Sequence, residues 1–273
     1  MGNTATSYCV LKHNMDKRLA ENQQSLEHSP LEEVRLQVKD KILYKQTIVP
    51  APSSVKFPPL RTALPTPTEK YGDNIFLFIP TANAFKKKVI EAKVRAQLQK
   101  DQQLGLVVFQ HDVDSGVGKQ PYDENGIKGA YNRIRNALLY LDQHPDLLEK
   151  NKVGTVLVCA IENYIQRSAI GGPAIDHAAV VMFNATKQIF VGLVGKGVTV
   201  PFDALKEAER FGFDDEERRS GKVTVGEVLA NDFGIDKADW NKVVTGVSRY
   251  KLIEEVLGEL NVEIESVKDH YRQ

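Results

Sequence analysis

Cysteine is scarce in this chain. Cys9 and Cys159 are its two cysteines in 273 residues, which is too few for a disulfide framework. No cluster of Cys and His has the spacing of a zinc site. A cross-linked scaffold and a structural zinc are therefore not expected, and the cysteine usage predicts a reducing compartment.

An excess of charge of one sign is also missing. The 36 Lys and Arg residues balance 36 Asp and Glu residues, so no whole-chain attraction draws the protein to nucleic acid or to an anionic membrane. Any anion binding must be local. Long apolar runs are missing as well: no segment approaches the length of a membrane span, and the N-terminus lacks the charged and apolar regions of a secretory signal. We therefore expect a cytoplasmic protein that binds no nucleic acid.

The N-terminus does carry a lipidation pattern. The first six residues fit the N-myristoylation motif, with Gly2 second and Thr6 sixth, and Cys9 is placed to accept a palmitoyl chain. Because one myristoyl group binds membranes only marginally, stable attachment would need that second chain. The alternative is an unmodified N-terminus, since the pattern is short and no basic cluster lies beside it.

Residues 1–70 differ in composition from the rest of the chain. Ser29-Pro30-Leu31-Glu32 has the order of an N-cap, a first-turn proline and a capping-box glutamate, which predicts a helix over 31–44. Its narrow apolar stripe packs either on the main domain or on a second protein chain. The prolines between Pro50 and Pro67 predict a semi-rigid extended linker, with a docking motif for an aromatic-lined groove as the alternative. We therefore divide the chain into an N-terminal arm, 1–70, and an α/β domain, 71–273.

From residue 72 onward, β-rich runs alternate with amphipathic helices. This order predicts an α/β domain with a mixed sheet flanked by helices: helical separations favour parallel pairing early, and the short connection 184–187 favours an antiparallel hairpin later. The predicted strands are 75–79, 106–110, 154–161, 178–183 and 188–194, and the predicted helices are 84–100, 127–142, 202–211 and 248–260.

The junction between the first strand and the first helix of this domain is the leading candidate site. Thr81, Asn83 and Lys86 bring a hydroxyl, an amide and an ammonium to a helix N-terminus, whose free N–H groups and dipole favour an anion. We expect phosphate there. The alternative is structural: Thr81 caps the helix, Asn83 supports the turn and Lys86 is solvated.

The loop after the second strand, 114–126, is the next candidate. It combines glycines, carboxylates and a hydroxyl, and oxygen ligands of this kind suit Mg²⁺. The helix that follows places Arg133 between Asn132 and Asn136, where Arg133 could reach a phosphate. The alternative is a solvated turn.

Together these motifs resemble the inosine/xanthosine triphosphatase family from about residue 75 onward. The matching positions are Thr81, Asn83, Lys86, Ser115-Gly116-Val117, Gln120-Pro121, Gly129-Ala130, Asn132-Arg133 and Ile161-Glu162. The resemblance implies hydrolysis of non-standard purine nucleoside triphosphates with Mg²⁺. It implies phosphate binding by the first motif and metal coordination by the acidic positions that follow. Glu162 and Asp176 remain as ligands, and Glu124 would substitute for a missing acid if the shorter loop bends inward. If the chain is active, the resemblance implies Glu124 and Glu162 as catalytic residues.

Two departures weaken the catalytic part of that resemblance. Asn125-Gly126 stands where those enzymes usually have a Glu-Thr pair, with one residue fewer in the loop. Tyr164 stands where a glycine pair leaves room for substrate, so its ring would intrude. Both changes favour a retained phosphate site without efficient hydrolysis.

The C-terminal part resembles a related branch, the C-terminal domain of the eukaryotic proline-rich and coiled-coil-containing family. The residues that carry this resemblance are Glu162-Asn163-Tyr164-Ile165, Val200-Pro201, Thr224 to Leu229, Asp239-Trp240 and Thr245 to Arg249. It implies a binding or regulatory role connected with Golgi and vesicle traffic and with a protein kinase A regulatory subunit. Apart from the resemblance, we expect Trp240 to anchor helix packing, Gly226 and Gly246 to shape turns, and Ser248 to cap the last helix.

Three hypotheses follow. The first is an adaptor or regulatory protein on a triphosphatase-like fold, binding a purine nucleotide or another phosphate ligand. The second is a Mg²⁺-dependent hydrolase of inosine and xanthosine triphosphates. The third is a structural component of a larger assembly, whose N-terminal arm lies along a partner. The second resemblance implies a protein kinase A regulatory subunit or a vesicle-coat component as protein partner, and a homodimer is a separate expectation.

Overall fold

The side chains of the strand β2, Asn74–Ile79, point alternately into two hydrophobic cores. Ile75, Leu77 and Ile79 face one cluster, and Phe76 and Phe78 face the other. This division follows from the two-residue period of a strand, and it explains why the sequence is apolar without interruption. The strand therefore has helices on both faces.

A computed structural model describes residues 48–52, 56–57, 71–98, 105–168 and 171–260. The predicted lipidation sites Gly2 and Cys9 and the predicted helix 31–44 lie outside these residues. The elements are β1 Ile48–Val49, β2 Asn74–Ile79, α1 Ala84–Leu98, β3 Leu106–Gln110, β4 Gln120–Pro121, α2 Glu124–Gln143, α3 Asp146–Lys150, β5 Val153–Gln166, β6 Ile175–Asn184, β7 Ile189–Val194, β8 Gly197–Thr199, α4 Phe202–Arg210, β9 Ser220–Gly221, α5 Val225–Phe233, α6 Trp240–Thr245 and α7 Arg249–Glu259.

The main sheet is mixed, as the sequence predicts. Its strand order is β1-β8-β6-β5-β2-β3, and β7 pairs with β6 beside β8. Strand β2 lies parallel to both β3 and β5, whereas β5, β6 and β7 form an antiparallel meander through the predicted hairpin. The prediction of a mixed α/β sheet flanked by helices is confirmed at this level.

Helices cover both faces. Helices α1 and α7 pack on the face that carries Leu77, and α2 packs on the face that carries Phe78. A third apolar cluster, around Trp240, joins α4, α5 and α6 to β8 and to the end of β5. Among the residues that the structure describes, no helix combines the length and apolar character needed to cross a bilayer.

Three predicted boundaries were wrong by several residues, and one of them is the start of β6, at Ile175 instead of residue 178. Strand β5 runs on to Gln166 instead of ending at Ile161, because β6 pairs with it in antiparallel register from Leu157 to Gln166. Helix α2 begins at Glu124 instead of Ile127. The extensions of β5 and α2 lie at the candidate site.

The expected roles of the C-terminal residues hold with one correction. Trp240 is fully buried, Gly246 adopts a left-handed φ of 78°, and the hydroxyl of Ser248 caps α7 by accepting from the N–H of Tyr250. Gly226, however, does not shape a turn. It lies in the first turn of α5, where it packs directly against the carbonyl of Lys237, so a larger side chain there would displace α6.

Described residues within and just before the proline-rich segment contact the sheet. Ile48 and Val49 pair with Val198 and Gly197 of β8, and the ring of Phe57 lies against Gly192 of β7. The linker prediction therefore needs an addition, because these described residues pack on the domain. Backbone pairing of this kind leaves little trace in a side-chain pattern. The division at residue 70 stays a prediction.

Candidate functional site

The turn between β2 and α1 is held by its own side chains. Asn83 caps α1, since its Oδ1 accepts from the N–H of Lys86 at 2.9 Å, and its own N–H donates to Thr81 Oγ1 at 3.2 Å. Gln110 at the end of β3 donates from Nε2 to the carbonyl of Thr81 at 2.8 Å. The structural alternative assigned the cap to Thr81, and the geometry assigns it to Asn83.

Lys86 points inward from the first turn of α1. Its Nζ donates to the carbonyl oxygen of Ile161 at 2.8 Å, so the side chain is not simply solvated. Burial lowers the pKa of Lys86; Glu162 opposes that effect, and the nearby Arg133 and Arg249 add to it. An ammonium that has lost much of its hydration gains more from an added anion than an exposed one does.

Arg133 crosses the site from the middle of α2. Its Nε donates to Glu162 Oε2 at 2.8 Å, and one terminal nitrogen donates to the carbonyls of Pro80 and Val113 and to Asp112 Oδ1. Arg133 therefore ties together the ends of β2 and β3 and the strand β5. Its side chain is only 18% exposed.

The residues beside Arg133 hold the loop that follows β3. Asn136 Nδ2 donates to the carbonyl of Asp114 at 2.8 Å, and Asn132 Nδ2 donates to that of Ser115 at 2.7 Å. Arg133 donates to the carbonyl of Val113 at 2.6 Å, so three side chains of α2 donate to three consecutive carbonyls. The sequence placed these side chains together on α2, and the structure shows that they fix the loop.

Gly129 makes the close approach of α2 possible. A β-carbon there would lie 2.6 Å from Cγ2 of Val117 and 3.1 Å from Cγ of Glu162. Both distances are too short for an unshifted neighbour, so any larger residue would require the side chains of Val117 and Glu162, or α2 itself, to shift.

The three carboxylates expected to bind Mg²⁺ lie in three separate environments. Glu162 pairs with Arg133, whereas the side chain of Glu124 is 85% exposed and lies 3.4 Å from Arg219. Asp176 is buried, and its Oδ2 accepts from Asn241 and from two nitrogens of Arg249. In the described part of the chain, no group of three or more His, Cys, Asp and Glu side chains is arranged to hold a metal ion. The residues do not fit the expected Mg²⁺ site.

Tyr164 occupies the space beside the first turn of α2. Its ring is fully buried and packs directly on Gly126, where a β-carbon would overlap it. The ring that was predicted to intrude on the space for substrate is therefore packed in the core. Among the described residues its hydroxyl has no hydrogen-bond partner, and burial raises the pKa of Tyr164.

The sequence did not predict the ion pairs of two acidic residues: Asp123, which lies in the candidate loop 114–126, and Asp112. Asp123 precedes α2 with a φ of 54°, and its carboxylate accepts from the backbone N–H, Nε and a terminal nitrogen of Arg167 and from Gln166 Nε2. Asp112 lies next to Arg133. An aspartate just before a helix is a common cap, so nothing local signals the pair with Arg167.

Arg249 was predicted only as part of a C-terminal motif. The structure brings it near Lys86, from the start of α7, while it pairs with Asp176 at 2.8 Å. The site thus collects Lys86, Arg133 and Arg249 at one end of the sheet, each held by partners from distant parts of the chain.

Comparisons with known proteins assign no family. No protein-family model matches the chain, and no curated protein sequence matches it. A search of solved structures finds the protein VC0702 from Vibrio cholerae, with 19% identity over 68% of this chain and 91% of that one, at a TM-score of 0.48. It also finds a PelC dodecamer from Paraburkholderia phytofirmans, with 11% identity over 50% of this chain and 77% of that one, at a TM-score of 0.19. At these scores neither likeness assigns a function.

Proposed function

We propose that the protein is a regulatory or adaptor module that binds a phosphate-bearing ligand between the start of α1 and the Arg133 side chain. One observation carries this proposal: the acids expected to support hydrolysis each pair with a different arginine and do not lie together. The cations and the helix N-terminus of a phosphate site are present. The motif resemblance noted in the sequence supports a triphosphatase-like fold as the origin of this arrangement.

Phosphate would bind mainly through Lys86. An ammonium has three N–H donors, and the carbonyl of Ile161 accepts one of them. The dipole of α1, a helix of 15 residues, adds positive potential at the same end. Because the turn is already fixed by Asn83 and Gln110, little conformational entropy would be lost on binding.

Hydrolysis requires a base that orients water and a means of neutralising charge in the transition state. Glu162 is the acid that most strongly favours the charged form of Lys86 and so raises its pKa, but the carboxylate of Glu162 is held by Arg133 at 2.8 Å. Since the predicted Mg²⁺ ligands do not meet, the geometry supports no catalytic step through the metal. The adaptor hypothesis therefore has more support than the hydrolase hypothesis.

A ligand titration tests the proposal. We expect inosine triphosphate and inorganic pyrophosphate to raise the melting temperature of the wild type and of Lys88→Ala, an exposed control on α1, and to leave that of Lys86→Ala unchanged. No phosphate release is expected with Mg²⁺ and inosine or xanthosine triphosphate. Phosphate release that Lys86→Ala abolishes would overturn the adaptor proposal in favour of the hydrolase. Equal melting shifts in wild type and Lys86→Ala would overturn the assignment of the site.

The partner proposals rest on the second resemblance alone. We propose a protein kinase A regulatory subunit or a vesicle-coat component as partner, and a cytoplasmic or Golgi location in which acylation at Gly2 and Cys9 supplies any membrane attachment. Direct binding of the purified full-length chain to a purified regulatory subunit tests the first partner. Light scattering of the chain alone tests the homodimer, and intact mass after expression in a eukaryotic host tests the acylation.

A further inference from the structure

The amino group of Lys86 is buried without an ion-pair partner. Its Nζ donates to the carbonyl oxygen of Ile161 at 2.8 Å, and no carboxylate among the described residues forms an ion pair with it. Glu162, the next residue of β5, pairs with Arg133 instead. Burying an ammonium without a counter-ion is costly, and that cost falls on the charged form alone. The surroundings therefore favour a neutral amine at this position.

Positive charge around the amine acts in the same direction. Burial lowers the pKa of Lys86 most, Arg133 and Arg249 lower it further, and Glu162 and Asp112 oppose these effects. The residue also lies in the first turn of α1, where the helix dipole disfavours an added cation. A neutral amine has a free lone pair, and a lysine that is desolvated beside other cations is a nucleophile.

A small molecule can reach Lys86 from solvent. The residue is half-buried, and Asn83 and Ala84 beside it at the start of α1 are exposed. Lys88, two positions further along the same helix, is exposed and keeps its hydration. The two lysines therefore present the same chemical group in two different environments on one helix.

Donors for a phosphate remain near the amine of Lys86. Arg133 uses Nε and one terminal nitrogen for two carboxylates and two carbonyls, and its second terminal nitrogen has no partner in the described part of the chain. At the start of α1, Asn83 accepts from the N–H of Lys86, and the N–H groups of Ala84 and Phe85 have no intrahelical partner. A phosphate can therefore be held while the amine forms another bond.

We propose that Lys86 is a nucleophilic amine that forms a reversible imine with a phosphorylated aldehyde, whose phosphate lies between the start of α1 and Arg133. This inference rests on the proposed phosphate site and names the class of its ligand. Inorganic phosphate keeps the ammonium of Lys86 as its main contact. An aldehyde ligand uses the same nitrogen for the new bond, so its phosphate depends on Arg133 and on the N–H groups of α1.

Imine formation needs no further reagent. Nζ gives its extra proton to solvent, and its lone pair then attacks the carbonyl carbon, so that a C–N bond forms and the π electrons move to oxygen. Both remaining hydrogens of the nitrogen pass through solvent to this oxygen, which leaves as water as the C=N bond forms. Water reverses the reaction. Since Glu162 is held by Arg133, chemistry that needs a free carboxylate base has no such support here.

The test compares pyridoxal phosphate with pyridoxal, which lacks the phosphate. Full-length protein is incubated with each aldehyde, the imine is reduced with cyanoborohydride, and the labelled lysines are located by peptide mass spectrometry. With pyridoxal phosphate we expect Lys86 to be labelled at least tenfold faster than the exposed Lys88, and at least tenfold faster than pyridoxal labels Lys86. Saturating pyrophosphate should slow the labelling of Lys86 at least tenfold and leave that of Lys88 unchanged.

Lys86→Arg separates this inference from the proposed function. A guanidinium stays protonated and forms no imine, but it still attracts phosphate. The variant should therefore keep a melting shift with pyrophosphate and lose the fast phase of labelling by pyridoxal phosphate. Lys88→Ala, the matched control, should keep both.

Two results would overturn the inference. If folded wild type is labelled no faster at Lys86 than at Lys88, the amine is not a nucleophile; a pyrophosphate melting shift in the same sample would leave the phosphate site standing. If both aldehydes label Lys86 equally and pyrophosphate gives no protection, the phosphate plays no part and the ligand class is wrong. Circular dichroism checks the fold of each variant. If Lys86→Arg unfolds, the comparison of two lysines within the wild type decides alone.

Discussion

Arg133 and Glu162 form the ion pair at the centre of the candidate site, with Nε and Oε2 2.8 Å apart and side chains only 18% and 12% exposed. The pair joins α2 to β5 across 29 positions of sequence. It orients the guanidinium towards the loop carbonyls and keeps the carboxylate from acting as a free base. The same contact therefore supports the site and argues against hydrolysis.

Removing Arg133 should destabilise the fold. Arg133→Ala leaves the Glu162 carboxylate without its charged partner and frees the carbonyl of Val113, so we expect a loss of about 3 kcal/mol in the free energy of unfolding. Urea denaturation measures it. Arg135→Ala, on an exposed position of α2, should change stability by less than about 0.5 kcal/mol. A loss below about 1 kcal/mol for Arg133→Ala would place this pair among ordinary surface ion pairs.

Lys86 should make stability depend on pH in the alkaline range. Burial lowers its pKa in the folded state, whereas an unfolded lysine titrates near 10.4. At pH values between the pKa of folded Lys86 and that of unfolded lysine, the unfolded state binds more protons than the folded state, so the free energy of unfolding rises with pH. At lower pH Lys86 is charged in both states, and the full cost of burying that charge lowers the stability. The wild type should therefore gain stability relative to Lys86→Met as pH rises towards 10.4. Chemical denaturation at several pH values measures the difference.

The exposed Lys88 supplies the matched control for that comparison, because Lys88→Met removes a charge from α1 without removing a buried ammonium. Its stability difference from the wild type should not vary with pH in the same window. A wild type that instead loses stability relative to Lys86→Met would show that the attraction of Glu162 outweighs burial.

Much of the fold could be predicted because its elements leave local patterns. The apolar run 75–79 predicts a strand that is buried on both faces, and the amphipathic pattern of 127–142 predicts a helix that is buried on one face. Both elements were confirmed, with shifted ends. Helix α5 was missed although its signal is local: Thr224 and Glu227 form a capping box. The arm strand β1 was missed because a two-residue ladder depends on a distant partner.

The candidate site likewise has features that the sequence could predict and features that it could not. The sequence could place Lys86 near a helix N-terminus, and it could group Asn132, Arg133 and Asn136 on one helix. It could not show that Lys86 donates to Ile161, 75 positions away. The pairing of acids with cations is long-range too, so a sequence that contains candidate metal ligands does not reveal that each is already engaged.

The buried pair of Asp176 and Arg249 supplies a second stability test. Asp176 is 4% exposed and accepts from Nε at 3.1 Å and from a terminal nitrogen at 2.8 Å of Arg249. Arg249→Ala would leave a buried carboxylate whose remaining donor among the described residues is Asn241, so we expect a loss of about 3 to 5 kcal/mol, measured by urea denaturation. Arg95→Ala, which breaks an exposed pair with Glu91, should cost less than about 1 kcal/mol. Similar losses in the two variants would contradict the burial argument.

Removing the hydroxyl of Tyr164 tests whether the space beside α2 is a packed core or a polar pocket that holds water. It is buried and has no hydrogen-bond partner in the described part of the chain, and an unpaired buried hydroxyl costs about 1 to 3 kcal/mol. Tyr164→Phe keeps the ring on Gly126 and removes that cost, so the free energy of unfolding should stay the same or rise by about 1 kcal/mol. Thermal and urea denaturation measure it. Tyr164→Ala, which removes the ring as well, should instead lose about 3 to 5 kcal/mol through the cavity it leaves. If Tyr164→Phe is destabilised by more than about 1 kcal/mol, the hydroxyl is bonded to an ordered water, and the space beside α2 is a polar pocket.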